Sequence, residues 1–181
     1  MVSAMGPSVL QTTVVHIESH LAQSGWDRPS VLFALVDTAD LLRREPSLAS
    51  SGTLAGPVTP GSLTPVEQEP LGTDPLDEVL AAIEWPAGVL GCVLAHEVLV
   101  LPPSAEAAAQ DRLLAVGATK WATSHPQRRE VRMVVGVLRD GSRASALRLR
   151  ATRGDATATD DVLIGPDLAP NLAEALLATL H

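Results

Sequence analysis

The dipeptide Asp140-Gly141 constrains this chain more than any other feature, because it lies between two runs, REVRMVVGVLR and SRASALRLR, that read as strands. Both central residues of a type I′ turn need positive φ, which Asp-Gly supplies cheaply, so an antiparallel hairpin is expected. Pairing Arg139 with Ser142 sets its register and puts Val135 opposite Ala146, Val134 opposite Leu147 and Met133 opposite Arg148. Val131, Met133, Val135, Val137, Ala144 and Ala146 then share one face with Arg148 and Arg150. The other face holds Val134, Leu138, Leu147 and Leu149 with Arg132 and Arg143. The centre of the hairpin is apolar on both sides, as in an interior strand pair whose arginines lie at the ends with their stems over the core.

The rest of the chain supplies helices and further strands around that hairpin. Leu10, Val14, Ile17 and Leu21 form one stripe of a helix over residues 8–23. VLFALV, residues 31–36, reads as a buried strand after the turn SGWDRPS, with Asp37 or Thr38 capping a short helix that Pro46 ends. A helix is expected after Asp74 as N-cap and Pro75 at the first position. GVLGCVLA and VLVL, separated by His96 and Glu97, read as one bent strand or a tight hairpin, and a further helix is expected from Ser104. VLI and a final helix near Leu168 to Leu180 close the chain. The fold class that follows is α+β, a mainly antiparallel sheet with a central Asp-Gly hairpin, covered by helices.

A chain of 181 residues has apolar material for one ordinary core, so a single domain over 1–181 is expected. Residues 49–73 are rich in Gly, Pro and Ser, have no sustained period, and read as a flexible insertion. No run approaches the roughly 20 apolar residues of a bilayer crossing. The opening MVSAMGPSVLQTT has neither a basic nor a continuous apolar signal region, so a cytoplasmic protein with no membrane contact is expected.

Charge poses the functional question. Residues 128–153 hold eight arginines against Glu130 and Asp140, a local sum of +6, so the remainder of a chain of net charge −8 sums to −14. Arg128, Arg129 and Arg132, with His125 nearby, are candidates for gripping a small phosphate or carboxylate, which needs only one bidentate site. Pairing of the basic segment with acidic groups of the same chain or of a second copy is the favoured alternative. Nucleic acid is disfavoured as a partner, since an acidic body opposes it and the hairpin contains no aromatic stacking platform.

Elsewhere the chemistry is sparse. His16 and His20 share one side of a helix and are weak metal candidates, but Glu18 lies about 160° away and no zinc-protease motif is formed. No metal site, catalytic residue or cofactor is expected. Cys92, alone in VLGCVLA, reads as a buried hydrophobe with a raised pKa. The single lysine, Lys120, sits in no Walker loop, no GxGxxG follows a strand, and no GxSxG elbow is present.

Three blocks, WDRPSVLFALVDTADLL, EWPAGVLGCVLAHEVLVLPPSAE and HPQRREVRMVVGVLRDGSRASALRLR, resemble an uncharacterised conserved family of actinobacterial cytosolic proteins with no assigned activity. The resemblance spans most of the chain outside residues 49–73 and implies a bacterial cytosolic setting, with no catalytic residue. The expectation is a non-catalytic protein acting through a protein partner or its own copy, with the basic hairpin and the acidic helix Asp74 to Glu84 as complementary surfaces. The alternative is a small-anion binding protein or enzyme.

Overall fold

A computed structural model of the chain describes residues 8–51, 58–100, 129–151 and 162–181. The first helix, α1 (Val9–Gln23), starts where Ser8 Oγ accepts from the Gln11 N–H, and it buries the whole stripe of Leu10, Val14, Ile17 and Leu21. β1 (Val31–Asp37) ends on Asp37, whose carboxylate caps α2 (Thr38–Arg44) by accepting from the Asp40 N–H at 2.8 Å. α3 (Ser47–Ser50), β2 (Leu63–Glu67) and α4 (Leu76–Ala81) follow. β3 (Gly91–Val100) is one unbroken strand, which resolves the bent-strand or hairpin alternative. β4 (Arg129–Leu138), β5 (Arg143–Leu149), β6 (Val162–Gly165) and α5 (Pro170–Ala178) complete the described residues. The helix expected from Ser104 lies outside them.

Among the described residues the strands form one six-stranded sheet in the order β2-β1-β3-β4-β5-β6, antiparallel at every pairing, and the class is α+β. Helices cover both faces. The α1 stripe packs on Phe33, Leu35, Val93, Ala95, Val134, Ala144 and Ala146, while α5 and α4 pack on Leu32, Ala34, Cys92, Leu94, Val135 and Val137. Burial on both sides explains why β1, β3 and β4 are continuous apolar runs without a clean alternation. At Gly136 an added Cβ would lie 2.7 Å from Val14 Cγ2, so this glycine sets how closely α1 approaches the sheet.

One expectation is corrected. The β4–β5 register is one residue from the Arg139–Ser142 pairing, because Leu138 N–H donates to Ser142 O and Gly141 N–H to Leu138 O, closing a three-residue loop over Arg139, Asp140 and Gly141. Within that loop only Gly141 takes positive φ, at +88°, as in a loop ending on a left-handed glycine; a type I′ turn needs two such residues. Met133 therefore faces Leu147, and Arg132 faces Arg148 on the α1 side of the sheet. Within residues 49–73, residues 63–67 form the strand β2. Pro65 in this strand stands opposite Leu35, and a proline fits because β2 is, among the described residues, the last strand of the sheet on that side.

Smaller differences surround α4. Pro75 occupies its N-cap position without a side-chain capping bond, so Asp74 lies one residue too early to cap it. The helix is short, and Pro86 follows the turn after it.

Candidate functional site

The arginines of the hairpin segment are largely engaged inside the chain. Glu18, only 1 % exposed on α1, receives Arg148 through two parallel contacts, Nε to Oε1 at 2.5 Å and Nη2 to Oε2 at 2.8 Å. Bidentate pairing of this kind is what makes a buried carboxylate tolerable, and removing one partner costs about 3–5 kcal/mol. Arg150 grips both oxygens of Asp27 at 3.0 Å and also contacts Glu130. Its hydrogen bond holds the Asp27 carboxyl below the usual range. Arg139 is a clip for main chain: it donates to the carbonyls of Val89, Leu180, Trp85 and Pro86 and so ties the β4–β5 turn to the end of α5. Arg143 reaches Glu174 on α5 at 3.9 Å. None of these acidic partners lies in Asp74 to Glu84, the helix expected to complement the basic segment.

Arg132 is the most deeply placed of them, 2 % exposed. Nε and Nη2 donate to Glu97 Oε1 at 3.3 and 2.9 Å, Nη2 also meets Gly25 O, and the Trp26 ring lies over the guanidinium at 4.6 Å. The other Glu97 oxygen accepts from the backbone N–H groups of Asp27 and Arg28 at 2.8 and 3.2 Å. One arginine and one glutamate thus fasten the turn between α1 and β1, in which Asp27 holds φ +63°, to the middle of the sheet. Arg132 Nη1 has no partner among the described residues although it is enclosed. An enclosed donor without an acceptor costs about 1–3 kcal/mol, more when charged.

A cavity of about 30 Å³ is lined in part by Arg132, Arg28, Glu67, Pro70, His96 and Glu97. The His96 ring is half-buried, with Nδ1 2.6 Å from Ser30 Oγ, and burial pulls its pKa down against the opposing pull of Glu97. Of the four residues singled out for an anion, Arg132 lines this cavity and Arg129 begins β4 opposite Val100. Arg128 and His125 lie outside the described residues.

The weak metal candidates His16 and His20 are exposed on α1, and among the described residues no group of three or more His, Cys, Asp or Glu side chains could hold a metal ion. Cys92 is buried against α5, its Sγ 3.8 Å from Thr179 Oγ1, and desolvation pushes its thiol up to about 11. No helix among the described residues is long and apolar enough to cross a membrane.

A surface that the sequence reading passed over completes the picture. β6 ends the sheet, and among the described residues nothing pairs with its outer edge. Its four residues VLIG carry no charge and no proline, and Leu163 and Ile164 are 56 % and 45 % exposed on opposite faces, next to exposed Leu149 of β5 and Leu168. The available signal was the uncharged VLIG run itself, whose place at a sheet edge depends on pairing with β5 and cannot be read from local pattern.

Comparison with protein families matches residues 10–181 to a family described as PPA1309-like protein, a description that names no activity. Comparisons with curated proteins and with solved structures give no match.

Proposed function

The chain belongs to the family of PPA1309-like proteins, and we propose that it is a non-catalytic protein that works by self-association, pairing the outer edge of β6 with β6 of a second copy. The observation that carries this reading is the exposed apolar edge strand, Leu163 and Ile164 on its two faces with Leu149 beside them. A free edge presents unpaired backbone donors and acceptors, and apolar side chains on both faces reward whatever covers them.

Antiparallel pairing of a strand with itself is isologous, so a twofold axis across β6 closes a dimer without generating a filament. β6 has no charge to set against its own copy, although the chain as a whole carries −8. A four-residue strand offers few backbone bonds, so the leucine and isoleucine supply most of the affinity. Because Arg132, Arg139, Arg143, Arg148 and Arg150 already bond within the chain, the attraction is apolar. The long-range term between two acidic bodies is repulsive, and added salt should strengthen the association.

Sedimentation equilibrium on the wild type and on the double variant Leu163→Lys/Ile164→Lys tests this. The reading requires a wild-type dimer and a folded monomeric variant. A wild-type monomer throughout the concentration range, or a dimer that the double variant leaves intact, overturns it. An edge that instead captures an extended apolar peptide while the chain stays monomeric would replace the second copy by a foreign strand.

A further inference from the structure

The backbone of β6 determines how a second copy can meet it, a deduction that rests on the proposed self-association. Leu138 N–H donates to Ser142 O and Arg150 N–H to Glu130 O, so the even-numbered residues of β5 turn their backbone groups toward β4. The odd-numbered Ser145 and Leu147 therefore bond to β6, where they stand opposite Gly165 and Leu163. Val162 and Ile164 are left with N–H and C=O directed out of the sheet, where no described residue pairs with them.

A twofold axis that joins two β6 strands into one antiparallel sheet stands perpendicular to that sheet and keeps each face on its own side. Residues opposite one another share a face, so the axis passes through one residue of β6 and never between two. With Leu163 on the axis, Val162 faces Ile164 of the copy and Ile164 faces its Val162, so every outward donor and acceptor of the two residues is used. Moving the axis to Ile164 or Gly165 sets an outward carbonyl opposite Pro166, which has no N–H to give. Moving it to Val162 sets Ile164 and Leu163 against Asp160 and Asp161 of the sequence, so carboxylates would meet an apolar strand.

We propose that the two copies meet in this one register, with Leu163 opposite Leu163 of the second copy at the twofold axis. This is a non-hydrogen-bonded position of the new pairing, where facing side chains come closest, with Cα atoms about 4.5 Å apart. Leu163 lies on the α5 side of the sheet, in one row with Met133 and Leu147. On the same side Leu168 fills the space over Gly165, its Cγ 3.3 Å from where a Cβ would stand. The leucines of the two copies form one apolar patch through the axis, and Ile164 meets Val162 on the α1 side.

Cysteine crosslinking reads the register, and the native Cys92 is fully buried and does not interfere. Full-length Leu163→Cys, Ile164→Cys and, on the far edge, Val66→Cys are each treated with oxidised glutathione, which is reduced as the two protein thiols join. In the Leu163→Cys dimer the thiols face each other at a spacing that suits a disulfide. In the Ile164→Cys dimer they form a diagonal pair with Cα atoms about 7–8 Å apart, beyond what a disulfide spans. Covalent dimer is expected from Leu163→Cys at least about tenfold faster than from Ile164→Cys or Val66→Cys. A wild type that sediments as a dimer, with Ile164→Cys crosslinking as fast as Leu163→Cys or faster, overturns the register and leaves the β6 pairing standing. A dimer in which neither β6 variant crosslinks faster than Val66→Cys overturns both. A wild-type monomer removes the pairing, and the register with it.

Discussion

The two edges of the sheet are built differently. Beyond β2 the chain continues along β1, with the Gln68 and Leu71 N–H groups donating to Leu32 and Ser30 carbonyls; β2 itself carries Pro65, which cannot donate, and ends on charged Glu67. Those are recognised devices for stopping a sheet from growing. β6 has no proline and no charge, and exposes Leu163 and Ile164 on both faces. Among the described residues one edge is guarded and the other is apolar, and the proposed self-association rests on that contrast.

The largest effect should come from a control that separates stability from edge pairing. Glu18→Ala removes the buried carboxylate of the Glu18–Arg148 ion pair and should cost about 3–5 kcal/mol in denaturant unfolding, while the fraction that stays folded keeps its association. If such a variant lost pairing in proportion to stability, the edge would have no role of its own. Next comes Leu163→Lys/Ile164→Lys, which sets like charges across the twofold axis. It should weaken dimerisation at least a hundredfold, or about 2.7 kcal/mol, with little change in melting temperature. The matched change on the guarded edge, Val66→Lys, should leave the dissociation constant within about twofold; a large effect there would erase the contrast.

A smaller, oppositely signed effect is expected from salt. Raising ionic strength from about 0.01 to 0.15 M shortens the screening length from about 30 to 8 Å, so two acidic bodies repel less and the dimer should tighten severalfold. Dissociation by salt would instead indicate ion pairing between copies. The smallest effect is that of Pro65→Val, which restores a backbone donor to β2. It should change stability by less than about 1 kcal/mol and produce traces of higher oligomers at high concentration, detectable by light scattering.

Much of the fold was legible because it is periodic. The α1 stripe, the apolar run of β1, Asp37 as a cap and the final helix all follow from local pattern, and each of the four stripe residues is buried. Register was not legible, since Asp-Gly serves both a two-residue turn and a three-residue loop ending on a left-handed glycine, and the difference flips β5 against β4. β2 was hidden by Pro and Gly composition that describes a loop as well as an edge. Glu18 fits the helix pattern as an ordinary polar residue beside the stripe, and its partner Arg148 lies 130 residues away, so only the tertiary fold reveals the pair. The same holds for Trp26 over Arg132, which turns one arginine of a basic run into an enclosed donor.

The most direct test of the contrast is amide hydrogen exchange read residue by residue as protein concentration rises. The account predicts that protection of Val162, Leu163, Ile164 and Gly165 increases with concentration while that of Leu63, Thr64, Val66 and Glu67 stays constant. Exchange at β6 that is independent of concentration, or that rises equally at both edges, would contradict it.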